Sequence, residues 1–157
     1  MKVNKLLAAG VTGVIALAGV MVAEFEGEAR TGYVDPVGVV TACFGHTQTA
    51  ELGKSYTENE CLNLFAMDLG DHNEQLLRAV KQPLSIGEHA AYLSFHYNVG
   101  AGNFRSSTLL KHLNRGERFK ACNELPRWVY ADGHKLAGLV KRRELERQLC
   151  LSELTNA

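Results

Sequence analysis

Apolar residues run without a charge from residue 6 to residue 23, directly after Lys2 and Lys5. Basic residues in front of an uncharged apolar run are typical of an export or membrane signal, with the lysines on the cytoplasmic side. At about 1.5 Å per residue, a helix over this run is just short of a hydrocarbon core about 30 Å thick. Its glycines and alanines dilute its apolar character, so we expect either a removed signal peptide or a weak, retained anchor.

A short strand is predicted at residues 39–44, because apolar and polar positions alternate there. A turn around Asp35 and Pro36 precedes the strand, and Gly45 and His46 close it. We therefore expect a small β-hairpin in this part of the chain.

Two capping boxes predict the starts of helices. Residues 57–60 begin a helix that continues at helical spacing to about Ala79, and residues 85–88 begin one that ends near Gly100. The glycines of residues 98–104 break that helix and begin another. The expected fold class is therefore α+β and mainly helical.

The composition fits one domain with a sizeable core, since 46% of the 157 residues are hydrophobic. Lysine and arginine total 17, as do aspartate and glutamate, so the chain has no net charge, and it lacks basic runs. Nucleic acid is therefore not expected as a partner. We expect the protein to be a monomer.

The four cysteines are Cys43, Cys61, Cys122 and Cys150; no Cys-x-x-Cys pair occurs, and the six histidines show no ligand spacing. The sequence therefore predicts no metal site and no cofactor. An even number of cysteines behind an export signal instead suggests two disulfides.

Two acids and a hydroxyl lie close together in this part of the sequence: Glu26 before the hairpin, Asp35 in the predicted turn and Thr41 in the predicted strand. Glycosidic bonds are hydrolysed by a protonated carboxyl that gives its proton to the leaving oxygen and an ionised carboxyl that holds a water. Glu26, at the end of the apolar run, lies near the negative end of a helix dipole, which disfavours a charged carboxylate. The alternative interpretation is a surface acid followed by an ordinary turn.

The spacing Glu-x8-Asp-x5-Thr, with Gly27 directly after the acid and Gly45-His46 after the threonine, resembles the phage-type lysozymes, glycoside hydrolase family 24. Residues 98–110 and the C-terminal stretch 125–144 are also similar, so the resemblance covers nearly the whole chain. It implies a two-lobed lysozyme-like fold, with a small antiparallel sheet lobe around residues 31–46, a helical lobe from about residue 80, and a cleft between them.

The resemblance also implies an activity, the hydrolysis of the β-1,4 bond between N-acetylmuramic acid and N-acetylglucosamine in bacterial peptidoglycan. Glu26 is then the general acid, and Asp35 with Thr41 holds and activates the water. The family inverts configuration, which needs carboxyl groups about 6.5–9.5 Å apart. A lytic transglycosylase and a non-enzymatic, membrane-anchored wall-binding protein are the alternatives.

Further residues receive roles from the same resemblance. Tyr97, Asn98 and Phe104 are expected in the segment that binds the sugar. His46 is expected to form a structural ion pair with Asp68. The remaining histidines are expected on surfaces or helix faces: His72, His89, His96, His112 and His134.

Near the C-terminus, Trp128 is interpreted as a core residue rather than a substrate contact. Arg142 and Arg143 are both candidate partners of Glu26, and neither is assigned.

The cysteines are expected to pair according to the elements that carry them. Cys122 and Cys150 lie on two C-terminal helices that should pack, while Cys43 and Cys61 lie on the strand and at the start of the long helix. We therefore expect the disulfides Cys122–Cys150 and Cys43–Cys61.

A weak anchor joined to a lysozyme resembles the signal-arrest-release endolysins of phages. Residues 1–23 are then the membrane segment and residues 24–157 the catalytic domain, held at the host inner membrane facing the periplasm and later released into the periplasm. Residues 16–25 should become the first helix after release and place Glu26 at its end.

Overall fold

The computed structural model describes residues 3–154. Lys2, which was expected on the cytoplasmic side of the membrane, lies outside the described residues. The fold is mostly helical, with 62% of the described residues in helices, and it divides into two compact units between Asp71 and His72. The helices are α1 Val3–Ala8, α2 Gly13–Glu26, α3 Glu58–Ala79, α4 Ile86–Ser106, α5 Thr108–Asn114, α6 Arg118–Glu124 and α7 Ala137–Leu151. The strands are β1 Ala29–Val34, β2 Val40–Cys43, β3 Tyr130–Ala131 and β4 His134–Lys135. The expected α+β, mainly helical class is confirmed.

The N-terminal apolar run forms two helices rather than one. Gly10 and Gly13 adopt positive φ angles of 85° and 60°, which L side chains rarely adopt, and the chain turns between α1 and α2. Residues 16–25, expected to form the first helix, lie within α2, which begins at Gly13 and follows α1. Within residues 3–154, no helix is both long enough and apolar enough to cross a membrane.

Helix α1 packs back onto its neighbours through one side chain. Leu6 is completely buried, and a Cβ built at Gly19 would lie only 2.9 Å from Cδ1 of Leu6 and 2.9 Å from Cδ1 of Leu69. The missing side chain at Gly19 therefore makes room for these two leucines. Lys5 adds an exposed ion pair with Glu58 at the start of α3.

The small sheet of the first unit is the antiparallel pair β1–β2, with Tyr33 opposite Thr41 and an irregularity between Ala29 and Tyr33. The predicted strand at residues 39–44 is therefore present as Val40–Cys43. A ring contact of 4.7 Å between the centroids of Phe44 and Phe65 attaches the end of this hairpin to α3.

The long helix α3 starts at its capping box. The Thr57 amide donates to Glu60 Oε2 at 2.7 Å, and the Glu60 amide donates to Thr57 Oγ1 at 3.1 Å. The predicted helix end at Ala79 is also confirmed.

The second unit is built around α4 and α7. Ser85 and Glu88 form the predicted capping box at the start of α4. Gly100, with φ 83° and ψ 162°, interrupts the helix where the glycine-rich segment predicted a break. The buried carboxylate of Glu88 is paired with Arg118, which attaches α4 to α6.

Both predicted disulfides are confirmed. Cys43–Cys61 joins β2 to α3 with a Cα–Cα distance of 4.9 Å. Cys122–Cys150 joins α6 to α7 with a Cα–Cα distance of 5.7 Å. Each of the two compact units therefore holds one covalent cross-link.

Candidate active site

Glu26 is the last residue of α2 and is exposed. The helix ends directly after it because Gly27 takes a φ of 69° and donates its amide N–H to the Ala23 carbonyl at 3.1 Å. Val22 and Ala23, one turn earlier on the same side of the helix, are buried. The buried face of α2 therefore fixes the helix end from which the Glu26 side chain extends.

Asp35 lies in the turn between β1 and β2 and is half-buried. Its Oδ1 accepts amide N–H groups from Val37 at 3.0 Å and from Val39 at 2.8 Å. Its Oδ2 has no hydrogen-bond partner among residues 3–154. The turn therefore orients the carboxylate through one oxygen and leaves the other available for a water.

Thr41 is buried and faces Tyr33 across the hairpin. Its hydroxyl donates to the Val39 carbonyl at 3.1 Å, and the Asp35 amide donates to the same carbonyl at 2.9 Å. The backbone of Val39 therefore connects Asp35 to Thr41 on both sides of the turn.

His46 and Asp68 are in contact, as the sequence resemblance implied. His46 Nδ1 lies 2.8 Å from Asp68 Oδ2, and its Nε2 lies 3.2 Å from the Thr49 amide nitrogen. Because an amide can only donate, Nε2 accepts and Nδ1 carries the proton shared with Asp68. Burial raises the pKa of Asp68, and the hydrogen bond from His46 partly offsets that rise. The pair holds the end of the hairpin against α3.

The predicted sugar-binding residues lie in the second unit, in the second half of α4. Tyr97 is half-buried, with its ring centroid 4.8 Å from that of His72. Asn98 is exposed and accepts a hydrogen bond from Arg143. Phe104, by contrast, is fully buried against Phe95, with ring centroids 6.2 Å apart. A ring with no exposed surface cannot touch a sugar, so the role of Phe104 is to pack inside the second unit beneath the exposed residues of α4.

A buried ionic cluster orients Asn98, and sequence reasoning did not find it. Glu146 is fully buried and accepts from Arg142 at 3.2 Å, from Ser94 Oγ at 2.7 Å and from Arg143. Glu146 follows Arg143 by three residues and Arg142 by four on α7, and this spacing was the available signal. The two arginines named as candidate partners of Glu26 thus have a structural role in the second unit.

Trp128 supports the same cluster. Its carbonyl accepts from Arg143 Nε at 3.0 Å, and its ring centroid lies 5.3 Å from that of Phe95. The interpretation of Trp128 as a core residue agrees with this packing.

His96 lies on a buried face of α4, at 1% exposure, and its Nδ1 is 2.8 Å from Nδ1 of His72. Of the two positions expected for the remaining histidines, surface or helix face, His96 has the second. Burial lowers the pKa of His96 to about 4, with further lowering from His72 and Arg105. In the described part of the chain, no group of three or more histidine, cysteine or acidic residues is arranged to hold a metal ion.

Comparison with known proteins identifies the class. The phage lysozyme family model matches residues 23–146. The SAR-endolysin of Bacteriophage PS119 is 43% identical over 155 residues, covering 94% of this chain and 93% of that protein. The SAR-endolysin of Enterobacteria phage P21 is 42% identical over 156 residues, covering 94% of each. The active form of P1 phage endolysin Lyz matches with a TM-score of 0.79 and 28% identity, over 88% of this chain and 85% of that one.

The chain therefore belongs to the phage lysozyme family. It is a glycoside hydrolase of the lysozyme class with the function of a phage endolysin. The family resemblance drawn from the sequence, and the enzyme class that followed from it, are confirmed.

Proposed function

We propose that Glu26, Asp35 and Thr41 catalyse hydrolysis of the β-1,4 bond between N-acetylmuramic acid and N-acetylglucosamine in bacterial peptidoglycan. The observation that carries this assignment is the backbone of Val39, whose N–H binds the Asp35 carboxylate in the turn and whose carbonyl binds the Thr41 hydroxyl in β2. Glu26 lies at the end of the helix that directly precedes this hairpin in the chain.

In this mechanism Glu26 is the general acid. A protonated carboxyl on a fixed helix end donates its proton to the glycosidic oxygen as the bond breaks, so the departing sugar leaves as a neutral alcohol. Positive charge then develops on the remaining sugar ring.

Asp35 and Thr41 position the attacking water. Oδ2 of Asp35 accepts a proton from the water while Oδ1 stays bound to the Val37 and Val39 amides. The Thr41 hydroxyl, whose proton goes to the Val39 carbonyl, has its oxygen lone pairs left to accept a second hydrogen bond from that water. Attack from the face opposite the leaving group inverts the anomeric configuration.

Tyr97 and Asn98 are the proposed sugar contacts from the second unit. The Asn98 amide is oriented by Arg143, which is itself fixed by Glu146 and the Trp128 carbonyl. An amide held in this way presents its NH2 group as a donor to a sugar hydroxyl or N-acetyl oxygen at little entropic cost.

The N-terminal segment is proposed to hold the enzyme inactive at the host inner membrane until release into the periplasm. The fold supports the released state as the folded one, because Leu6, Ala18 and Val22 are completely buried. Side chains that anchor the segment in lipid would thus become core residues of the first unit. The enzyme is expected to act as a monomer.

The test replaces Glu26 by Gln in the full chain. We expect peptidoglycan clearing to fall by at least about 100-fold, because the proton donor is lost while the side-chain shape is kept. Glu24→Gln is the matched control, since Glu24 is also exposed on the last turn of α2, and it should clear walls at nearly the wild-type rate. If Glu24→Gln were the inactive variant and Glu26→Gln the active one, the assignment of the acid would be wrong.

A further inference from the structure

The second unit contains a strongly basic pocket that the catalytic proposal does not use. Its volume is about 290 Å³, close to the lower end of small-molecule sites. Its lining consists of Lys81, Arg105, Leu110, Lys111, Asn114 and Arg115. Four of these six residues are cationic and none is acidic, although the chain as a whole has no net charge.

The cations of this pocket are not neutralised by the protein. Within residues 3–154, none of Lys81, Arg105, Lys111 and Arg115 forms an ion pair with an acid. On the neighbouring α6, by contrast, Arg118 pairs with Glu88. Four like charges around one concavity repel one another, so a multivalent anion bound there is strongly favoured.

The backbone of the pocket is fixed independently of its charges. Asn114 Oδ1 accepts the Lys81 amide at 2.8 Å, and its Nδ2 donates to the Ala79 carbonyl at 3.0 Å. These bonds attach the end of α3 to the end of α5. Leu110, buried at 7% exposure, is the apolar lining residue. The charged side chains themselves are exposed, so they are available to a ligand.

We propose that this pocket binds a phosphate-bearing ligand, either the headgroup of an anionic phospholipid or a soluble phosphate ester. The guanidinium groups of Arg105 and Arg115 can each bind two phosphate oxygens, and the ammonium groups of Lys81 and Lys111 supply compact charge. A ligand with a single carboxylate group would neutralise only one of the four positive charges, so it fits the pocket less well than a phosphate. Glu26, Asp35 and Thr41 do not line this pocket, so the site is separate from the proposed catalytic residues.

The first experiment titrates the full chain with inorganic pyrophosphate by calorimetry at low ionic strength. The double variant Arg105→Gln/Arg115→Gln should bind at least about tenfold more weakly, because both bidentate contacts are removed. The matched control is Lys135→Gln/Lys141→Gln, which removes the same charge at exposed positions outside the pocket and should change the affinity by less than about twofold. Thermal unfolding of each variant verifies the fold, with Lys111→Gln as a milder second pocket variant.

The second experiment distinguishes the source of the phosphate. The same variants are sedimented with vesicles of phosphatidylglycerol and phosphatidylcholine, and with vesicles of phosphatidylcholine alone as the baseline for insertion of residues 6–23. A loss of phosphatidylglycerol-dependent binding in the pocket variant identifies a lipid headgroup. Pocket-dependent binding of pyrophosphate without such a loss identifies a soluble phosphate ester.

Three results would overturn the proposal. The first is that neither pyrophosphate nor the vesicles bind the wild-type chain. The second is an equal loss of affinity in the pocket and control variants, which would mean that the overall charge and not the pocket binds the anion. The third is a single-stranded oligonucleotide that binds through the pocket and is not displaced by pyrophosphate. Peptidoglycan clearing is measured in parallel and should be unchanged in the pocket variants, so failure of this proposal is distinguishable from failure of the catalytic one.

Discussion

The backbone of Val39 positions both Asp35 and Thr41. Within the described residues, the two side chains form no hydrogen bond with each other. The Val39 N–H fixes Asp35, and its carbonyl fixes the Thr41 hydroxyl. A main-chain link cannot be removed by changing the Val39 side chain, so the arrangement depends on the hairpin itself. This is the physical reason for a short turn at this point of the sequence.

Replacing Thr41 by Val tests the hydroxyl alone. Valine has nearly the same shape and fills the buried position, so the fold should be kept while one water contact is lost. We expect a fall in kcat of about tenfold, which corresponds to one hydrogen bond of about 1.4 kcal/mol. Thr41→Ser keeps the hydroxyl and should retain most activity. Equal losses in the two variants would mean that packing, and not the hydroxyl, is what Thr41 supplies.

His96 predicts a specific pH dependence of stability. Its pKa is about 4 in the folded chain because of burial, against about 6.5 for an unfolded histidine. Between these values the unfolded chain binds a proton that the folded chain excludes. Stability from this residue is therefore full above pH 6.5 and is lost as the pH falls towards 4, by about 3 kcal/mol in total.

The measurement is the free energy of unfolding in urea at pH 7 and pH 4.5 for the wild type and His96→Gln. Glutamine keeps a polar group beside His72 but does not titrate, so the variant should lose clearly less stability on acidification. Identical losses in both proteins would show that other groups, and not His96, control the acid sensitivity.

Residue types and spacing predicted the turn and the strand that carry Asp35 and Thr41, but they did not predict burial. The sequence placed Glu26, Asp35 and Thr41 around one turn, because main-chain geometry near a strand is local. It did not show that His96 and Phe104 are buried, since burial depends on which distant helices pack over a residue.

Among the secondary structure elements, α1 and α2 are the ones that the proposed release from the membrane would place in two environments. In that proposal, the glycines of residues 6–23 make a weak lipid anchor, and the same glycines have separate roles in the folded chain. Gly10 and Gly13 provide the turn between the helices, and Gly19 provides the space for Leu6 and Leu69. The proposed release from the membrane and the folding after it therefore both depend on these glycines.

Gly19→Leu should disturb both equilibria in the same direction. The added side chain overpacks the Leu6–Leu69 contact, at a cost of about 1–3 kcal/mol or more, and leucine also increases affinity for the bilayer. We expect a larger membrane-bound fraction and delayed lysis, measured by membrane sedimentation and culture turbidity. Thr12→Leu is the control, because Thr12 is exposed and makes no capping bond; it raises apolarity without overpacking. Lysis by membrane-bound Gly19→Leu on the normal schedule would contradict this account.

Helix starts and ends were the most predictable elements. The capping boxes at residues 57–60 and 85–88 act through contacts within one turn, so the sequence alone specifies them. The hairpin β3–β4 was missed, although Asp132-Gly133, with φ angles of 49° and 76°, is a strong short-range hairpin signal. The break between α1 and α2 was also missed, because an uninterrupted apolar run does not show where its glycines turn.

For the molecule as a whole, the central proposal is inverting hydrolysis by a two-carboxylate mechanism. The most direct test is proton NMR of the product formed in the first minutes of digestion of defined peptidoglycan fragments. The account predicts a free reducing end released first as the α-anomer, and no such product from Asp35→Asn. A β-anomer would indicate retention, and a 1,6-anhydro end would indicate lytic transglycosylation; either result would contradict the proposed roles of Glu26 and Asp35.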